Sequence, residues 1–332
     1  KAFVEVEGAT EAASFSGFQF TFLGTAGMFL AMITAILSVE IYAWAIRKKL
    51  VIKMPDGVPP AVMESFASLI PSAIAMTIFF VVGIIFDHTS FEYVHYFIYK
   101  VLQAPLVGLG RLSGFEVIYQ FLSTLFWFFG INGPAVTNTI FSPIHKVLTV
   151  ENYEAAQAGL EMTNIFTAGF SDFFCNFGGG GSTLGLVIMM AFLGKSNRMK
   201  TLGKLSLPAG IFGINEPLIF GLPIVLNPLM AIPFILVPVI NTIIGYLATV
   251  SGIMPITLGV QLPWTCPIFF SGFLVTGSIM GTLVQAVQLV VDVLVYYPFF
   301  KLLDTRYMDD EKKKEGQTDD IDDLSFDDLE FD

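Results

Sequence analysis

Between Leu205 and Phe300 the chain carries two charged side chains, Glu216 and Asp292. An ordinary soluble domain is about one-quarter charged, so a run of this length would be out of place in one. In water it would expose an apolar patch far larger than soluble monomers tolerate. A bilayer is the solvent that suits it, and helices satisfy their own backbone polar groups there. The predicted fold class is therefore all-α: a polytopic membrane protein with several transmembrane helices, amphipathic helices and two re-entrant hairpins. The whole chain agrees, being 54% hydrophobic and 14% charged. An ordinary soluble enzyme and a disordered protein are both excluded.

A membrane-spanning helix takes about 20 apolar residues. Residues 20–46, 69–86, 117–144, 223–250 and 272–297 each suffice. Lys and Arg collect on the cytoplasmic side of membrane proteins. Three basic clusters are assigned there: Arg47 to Lys49 with Lys53, Lys195 with Arg198, Lys200 and Lys204, and Lys301 with Arg306 and Lys312 to Lys314. Trp44 beside the first cluster suits an interfacial anchor. An even number of crossings must separate any two clusters. Residues 205–222 must then enter and return without crossing, and residues 160–177 with 183–193 must together make a hairpin or a broken pair. The second of these turns at Gly178-Gly179-Gly180-Gly181-Ser182-Thr183. Broken helices of this kind are a transporter feature. Residues 91–109 read as an interfacial amphipathic helix, and Met54-Pro55-Asp56-Gly57-Val58-Pro59-Pro60 as a cytoplasmic turn.

The net charge of −11 belongs mostly to the tail. From Asp309 onward there are twelve acids and three lysines, which reads as a solvated, mobile terminus. No basic face exists, so nucleic acid is not an expected partner. Cys175 and Cys266 sit among apolar residues and read as small buried hydrophobes. Lys1 opens no signal-peptide pattern.

Glu216 is the sharpest single candidate. A carboxylate at bilayer depth costs roughly 2.5–3.5 kcal/mol and faces a partner, a cavity or a substrate. It lies in Gly213-Ile214-Asn215-Glu216-Pro217, which echoes Gly130-Ile131-Asn132-Gly133-Pro134. Two broken segments could offer their Asn amides to one hydroxyl-rich ligand. The alternative is a carboxylate that holds a helix break, with the echo a coincidence. Trp127 and Trp264 offer flat faces that suit a sugar ring, or simply pack in the core. The glycine run lacks the Lys of a nucleotide-binding loop, so it is either a close backbone approach to a ligand or a hairpin tip. Gly180, Ser182 and Thr183 are its candidates. Glu40, Glu116, Glu161, Asp172 and Asp292 read as structural, with Asp172 the nearest to an exception. His88 and His145 show no metal-ligand spacing, so no metal or cofactor is expected.

Residues 202–208, Leu-Gly-Lys-Leu-Ser-Leu-Pro, precede residues 213–228, which run from Gly213-Ile214-Asn215-Glu216-Pro217 to Asn227-Pro228. Together they resemble the membrane subunit, enzyme IIC, of bacterial phosphotransferase-system sugar transporters. Residues 54–62 and Trp264-Thr265 are similar to the lactose, cellobiose and diacetylchitobiose branch. The resemblance runs from about residue 20 to residue 300, and the chain reads as a member lacking its first few helices.

The resemblance implies a homodimeric permease of the cell membrane with a cytoplasmic C-terminus. It implies a dimerising part at residues 1–100, a sugar-binding transport part at 101–304 and an acidic cytoplasmic tail at 305–332. A β-linked disaccharide would be bound and passed to a separate enzyme IIB, a phosphoprotein that donates its phosphoryl group from a cysteine. Glu216 takes the catalytic position. Asn132, Gly133, Trp127, Asn215, Glu216, Trp264, Gly180, Ser182 and Thr183 are the substrate-binding set. Family members usually have His where this chain has Asn132, and Asn cannot exchange a proton near neutral pH. An ion-coupled secondary transporter and a membrane-embedded enzyme are the competing readings.

Overall fold

The computed structural model describes residues 2–4, 13–15, 27–53, 55, 59–222 and 224–322, with side chains for 27–53, 55, 59–222 and 224–313. Residues 20–26, most of the expected turn at 54–60, Pro223 and the tail beyond Asp322 lie outside them. Apart from a hairpin of β1 (Ala2–Val4) and β2 (Ala13–Phe15), every regular element is helical.

The chain divides into two compact units, Lys1–Gly108 and Leu109–Asp332. In the first, α1 (Met28–Arg47) packs against α2 (Pro60–Asp87), and both touch α3 (Val94–Ile98). A π-helical turn, Tyr99–Gln103, leads from α3 into α4 (Ala104–Gly110). The expected amphipathic segment is thus three short pieces. Both α1 and α2 are long and apolar enough to cross a membrane, yet only 11% of either apolar window is buried.

The second unit holds α5 (Phe115–Phe128), α6 (Gly133–Gln157), α7 (Ala168–Phe174), α8 (Leu184–Leu193), α9 (Asn197–Ile211), α10 (Glu216–Gly221), α11 (Pro228–Val250), α12 (Phe270–Thr276) and α13 (Ile279–Asp322). Helix α8 packs on α9 and α13, and α11 on α5 and α13. Their core includes Leu186, Met190, Phe234 and Tyr296. Helices α11 and α13 are each long and apolar enough to span.

Three expected boundaries change. The charge-free stretch 117–144 is two helices, because the chain turns at Gly130, whose φ is +82°. Residues 272–297 are likewise split at Gly277, at φ +64°. The acidic terminus begins as helix: α13 continues to Asp322. Its Asp304 carboxylate accepts hydrogen bonds from the Lys195 and Ser196 backbone N–H groups at 2.8 and 2.9 Å. Glu311 accepts from the N–H groups of Asn197 and Arg198, both at 3.0 Å. Two carboxylates thus cap α9, where orphan N–H groups favour negative charge.

The hairpin between α7 and α8 leaves irregular backbone deep in the unit, and buried backbone groups need partners. One face of α13 supplies them through Gln285, Gln288, Asp292 and Tyr296, all fully buried and spaced three or four apart. Gln285 Nε2 donates to the Phe173 carbonyl (2.7 Å) and Gln288 Nε2 to that of Phe174 (2.8 Å). Tyr296 Oη donates to the Gly181 carbonyl (2.6 Å), and Asp292 accepts from Ser182 Oγ (2.5 Å).

Candidate functional site

Both Gly-Ile-Asn-x-Pro segments fold into the same turn. Gly130 and Gly213 are left-handed, at φ +82° and +81°. After each, the Ile N–H reaches the carbonyl five residues back: Ile131 to Phe126 and Ile214 to Ala209, both at 3.0 Å. The Gly N–H reaches the carbonyl three back, to Trp127 and Gly210. This pair of bonds closes a helix by the Schellman pattern, where only glycine adopts the left-handed position without cost. A new helix follows each turn, with Pro134 or Pro217 in its first turn. The sequence echo is therefore a structural repeat.

The two asparagines then part ways. Asn132 caps α6, its Oδ1 accepting from the Ala135 N–H at 3.1 Å. Asn215 does not cap α10. It is buried, and its Nδ2 donates to the Gly180 carbonyl (2.6 Å) and to Thr183 Oγ1 (3.2 Å). Replacing Asn132 by His, the residue usual in the resembling family, removes the cap. We expect a loss of ~1 kcal/mol and a thermal midpoint in detergent lowered by ~2–4 °C. An unmoved midpoint would show that the cap contributes nothing.

Both turns open on one cavity of ≈ 490 Å³, within the size range of small-molecule sites. Trp127, Asn132, Asn215, Glu216, Trp264 and Gly180 line it. Trp127 is buried, whereas Trp264 is 61% exposed and its ring covers Gly213. Glu216 makes no hydrogen bond or ion pair to the described residues and is exposed. The expected buried acid is in fact an open carboxylate at the cavity wall.

Gly133, Ser182 and Thr183 do not line it, against the sequence-based expectation. Gly133 packs against the Ser123 carbonyl, where a Cβ would collide. Ser182 is fully buried, with Oγ donating to Asp292 and accepting from the Phe177 N–H. Thr183 donates to the Gly178 carbonyl at 2.8 Å. These two hydroxyls hold the hairpin tip instead. The glycine run is a tip wedged among side chains. A Cβ on Gly179 would strike the Asn215 side chain, one on Gly180 would press Trp127, and one on Gly181 would strike the Phe234 ring.

The rest of the lining was not foreseen, save that Asp172 stood nearest to an exception among the acids read as structural. It carries Tyr119, Asn138, His145, Lys146, Asp172 and Asn176. Tyr119 Oη donates to Asn138 Oδ1 at 2.7 Å. Behind it Glu116, fully buried, pairs with His145 at 2.7 Å. No spacing signal links residues 116 and 145, which only the α5–α6 packing brings together. Among the described residues no group of three or more His, Cys, Asp or Glu is placed to hold a metal.

Aromatic faces, amides and an open carboxylate around one cavity can grip a polyhydroxylated ring. Comparison with known proteins bears on which one. Residues 2–238 match the family described as phosphotransferase system, EIIC. The oligo-beta-mannoside-specific EIIC component of Bacillus subtilis (strain 168) is 43% identical over 89% of this chain and 67% of its own length. The lichenan permease IIC component of the same organism is 39% identical, over 90% of this chain and 66% of its own length. The crystal structure of the transporter ChbC, the IIC component from an N,N'-diacetylchitobiose-specific phosphotransferase system, matches with a TM-score of 0.87 and 41% identity. That match covers 94% of this chain and 72% of ChbC. The chain spans about two thirds of the length of these curated relatives.

Proposed function

We propose, from the premise that this chain belongs to the phosphotransferase system EIIC family, that it is a sugar permease for a β-linked disaccharide. Membership makes it an integral membrane protein. The observation that carries the reading is the cavity: two tryptophans, paired Asn turns and a carboxylate with no partner among the described residues line it together. Relatives named for oligo-beta-mannosides, lichenan and diacetylchitobiose support a β-linked substrate.

In this reading Trp127 and Trp264 take the ring faces. Asn215 is held by the glycine tip so that its amide borders the ligand. Glu216 accepts hydrogen bonds from sugar hydroxyls and orients the one that receives the phosphoryl group. An enzyme IIB phosphocysteine is the donor: the sugar oxygen attacks phosphorus, the sulfur–phosphorus bond breaks with the sulfur leaving as the cysteine thiolate, and the hydroxyl proton passes to the Glu216 carboxylate. Phosphorylation then traps the product, so no ion gradient is needed. The sparsely buried faces of α1 and α2 support contact with lipid and with a second copy of the chain. The basic clusters support a cytoplasmic C-terminus.

The test is uptake of cellobiose into sealed vesicles. Uptake that requires phosphoenolpyruvate and the phosphoryl relay is the expected result. Uptake driven by a proton or sodium gradient alone would overturn the reading in favour of a secondary transporter.

A further inference from the structure

The Glu116 carboxylate is a buried hub. Its Oε1 accepts from Gln120 Nε2 (2.7 Å) and Ser171 Oγ (2.6 Å), and its Oε2 faces His145 Nε2 at 2.7 Å. Gln120 is itself oriented, since its Oε1 accepts from Asn176 Nδ2 at 2.6 Å. Three outer members of this network, His145, Ser171 and Asn176, line the cavity. The imidazole is also clamped edge-on between the Phe115 and Tyr119 rings, at 5.4 and 5.3 Å.

A carboxylate with no proton only accepts, so the hydrogen on Oε2 comes from His145 Nε2. In a neutral imidazole the other nitrogen is then an acceptor. His145 Nδ1 has no partner among the described residues, and its ring borders the cavity. We propose that His145 is a sugar-contacting residue whose Nδ1 accepts a hydrogen bond from a ligand hydroxyl, and that Glu116 is the positioning residue that fixes its tautomer. The inference rests on the cavity being the sugar site. It adds to the same cavity lining as Glu216 a second recognition element, one that selects for a hydroxyl donor.

Two substitutions separate the roles. His145→Gln places an amide N–H where Nε2 donates to Glu116, and removes the Nδ1 acceptor. Glu116→Gln keeps the carbonyl at Oε1, where Gln120 and Ser171 donate, and puts an N–H at Oε2. That N–H needs an acceptor at His145 Nε2, so the imidazole proton moves to Nδ1 and the cavity meets a donor instead.

The experiment uses the purified full chain in detergent, labelled with 15N-histidine, with cellobiose and N,N'-diacetylchitobiose as probes. The chain has three histidines, so His145→Gln assigns the resonance. Wild-type His145 is expected as the Nε2-protonated tautomer, its Nδ1 resonance moving when sugar is added. Glu116→Gln is expected to switch the tautomer. Both variants are expected to bind sugar roughly tenfold more weakly. An Nδ1 resonance unmoved by a sugar that binds overturns the proposal, as does a folded His145→Gln with wild-type affinity. Should that variant not fold, the wild-type resonance decides alone. Failure of the wild type to bind either sugar would instead overturn the reading of the cavity.

Discussion

Glu216→Gln is expected to cut phosphorylation-coupled uptake by roughly 10- to 100-fold, the loss of one or two hydrogen bonds to a charged acceptor. The thermal midpoint should hold, because Glu216 has no hydrogen bond or ion pair to the described residues and stands exposed. Substitutions at such places shift stability by about 0.5 kcal/mol or less. The pair of readouts distinguishes a ligand-facing acid from a structural one. Wild-type uptake by a well-folded Glu216→Gln protein would remove Glu216 from the site. A large fall in the midpoint would return it to the role of holding the helix break.

Gly179→Ala is expected to be nearly as damaging by a different route. Gly179 has φ +92°, where a Cβ costs roughly 1–2 kcal/mol. That Cβ would also lie 2.5 Å from Asn215 Cγ. Asn215 cannot retreat without giving up its bonds to Gly180 and Thr183. Sugar affinity should therefore fall about tenfold or more, with stability reduced by about 1–3 kcal/mol. Binding measured by the fluorescence of Trp127 and Trp264, together with the thermal midpoint, checks both. Unchanged affinity would show that the tip does not position Asn215 for the ligand.

These predictions rest on features of unequal visibility. The Gly-Ile-Asn-x-Pro turns could be read from sequence because their causes are local: a left-handed glycine, and a proline that suits a first helical turn. Trp264 and Glu216 could be read because a polar or amphipathic group within so apolar a stretch has few ordinary uses. The break inside residues 117–144 was hidden, since absence of charge says where a chain can be buried but not where its axis turns. That Ser182 and Thr183 sit off the cavity was hidden for a related reason. A hydroxyl beside glycines looks available until Asp292, 110 residues later, is seen to accept from it. The Glu116–His145 wall lay furthest from view. Each residue alone is unremarkable, and only the tertiary packing of two helices makes them a pair.

The row of buried side chains on α13 has a mechanical consequence. Gln285, Gln288, Asp292 and Tyr296 fasten the hairpin to one long rod at four successive levels. Tearing the two apart inside a bilayer would strand carbonyls and a carboxylate together, at several kcal/mol for each. Tip and rod therefore travel as a single rigid body. Whatever stroke exposes the cargo to one side and then the other must bend the chain at joints that lack such fastenings.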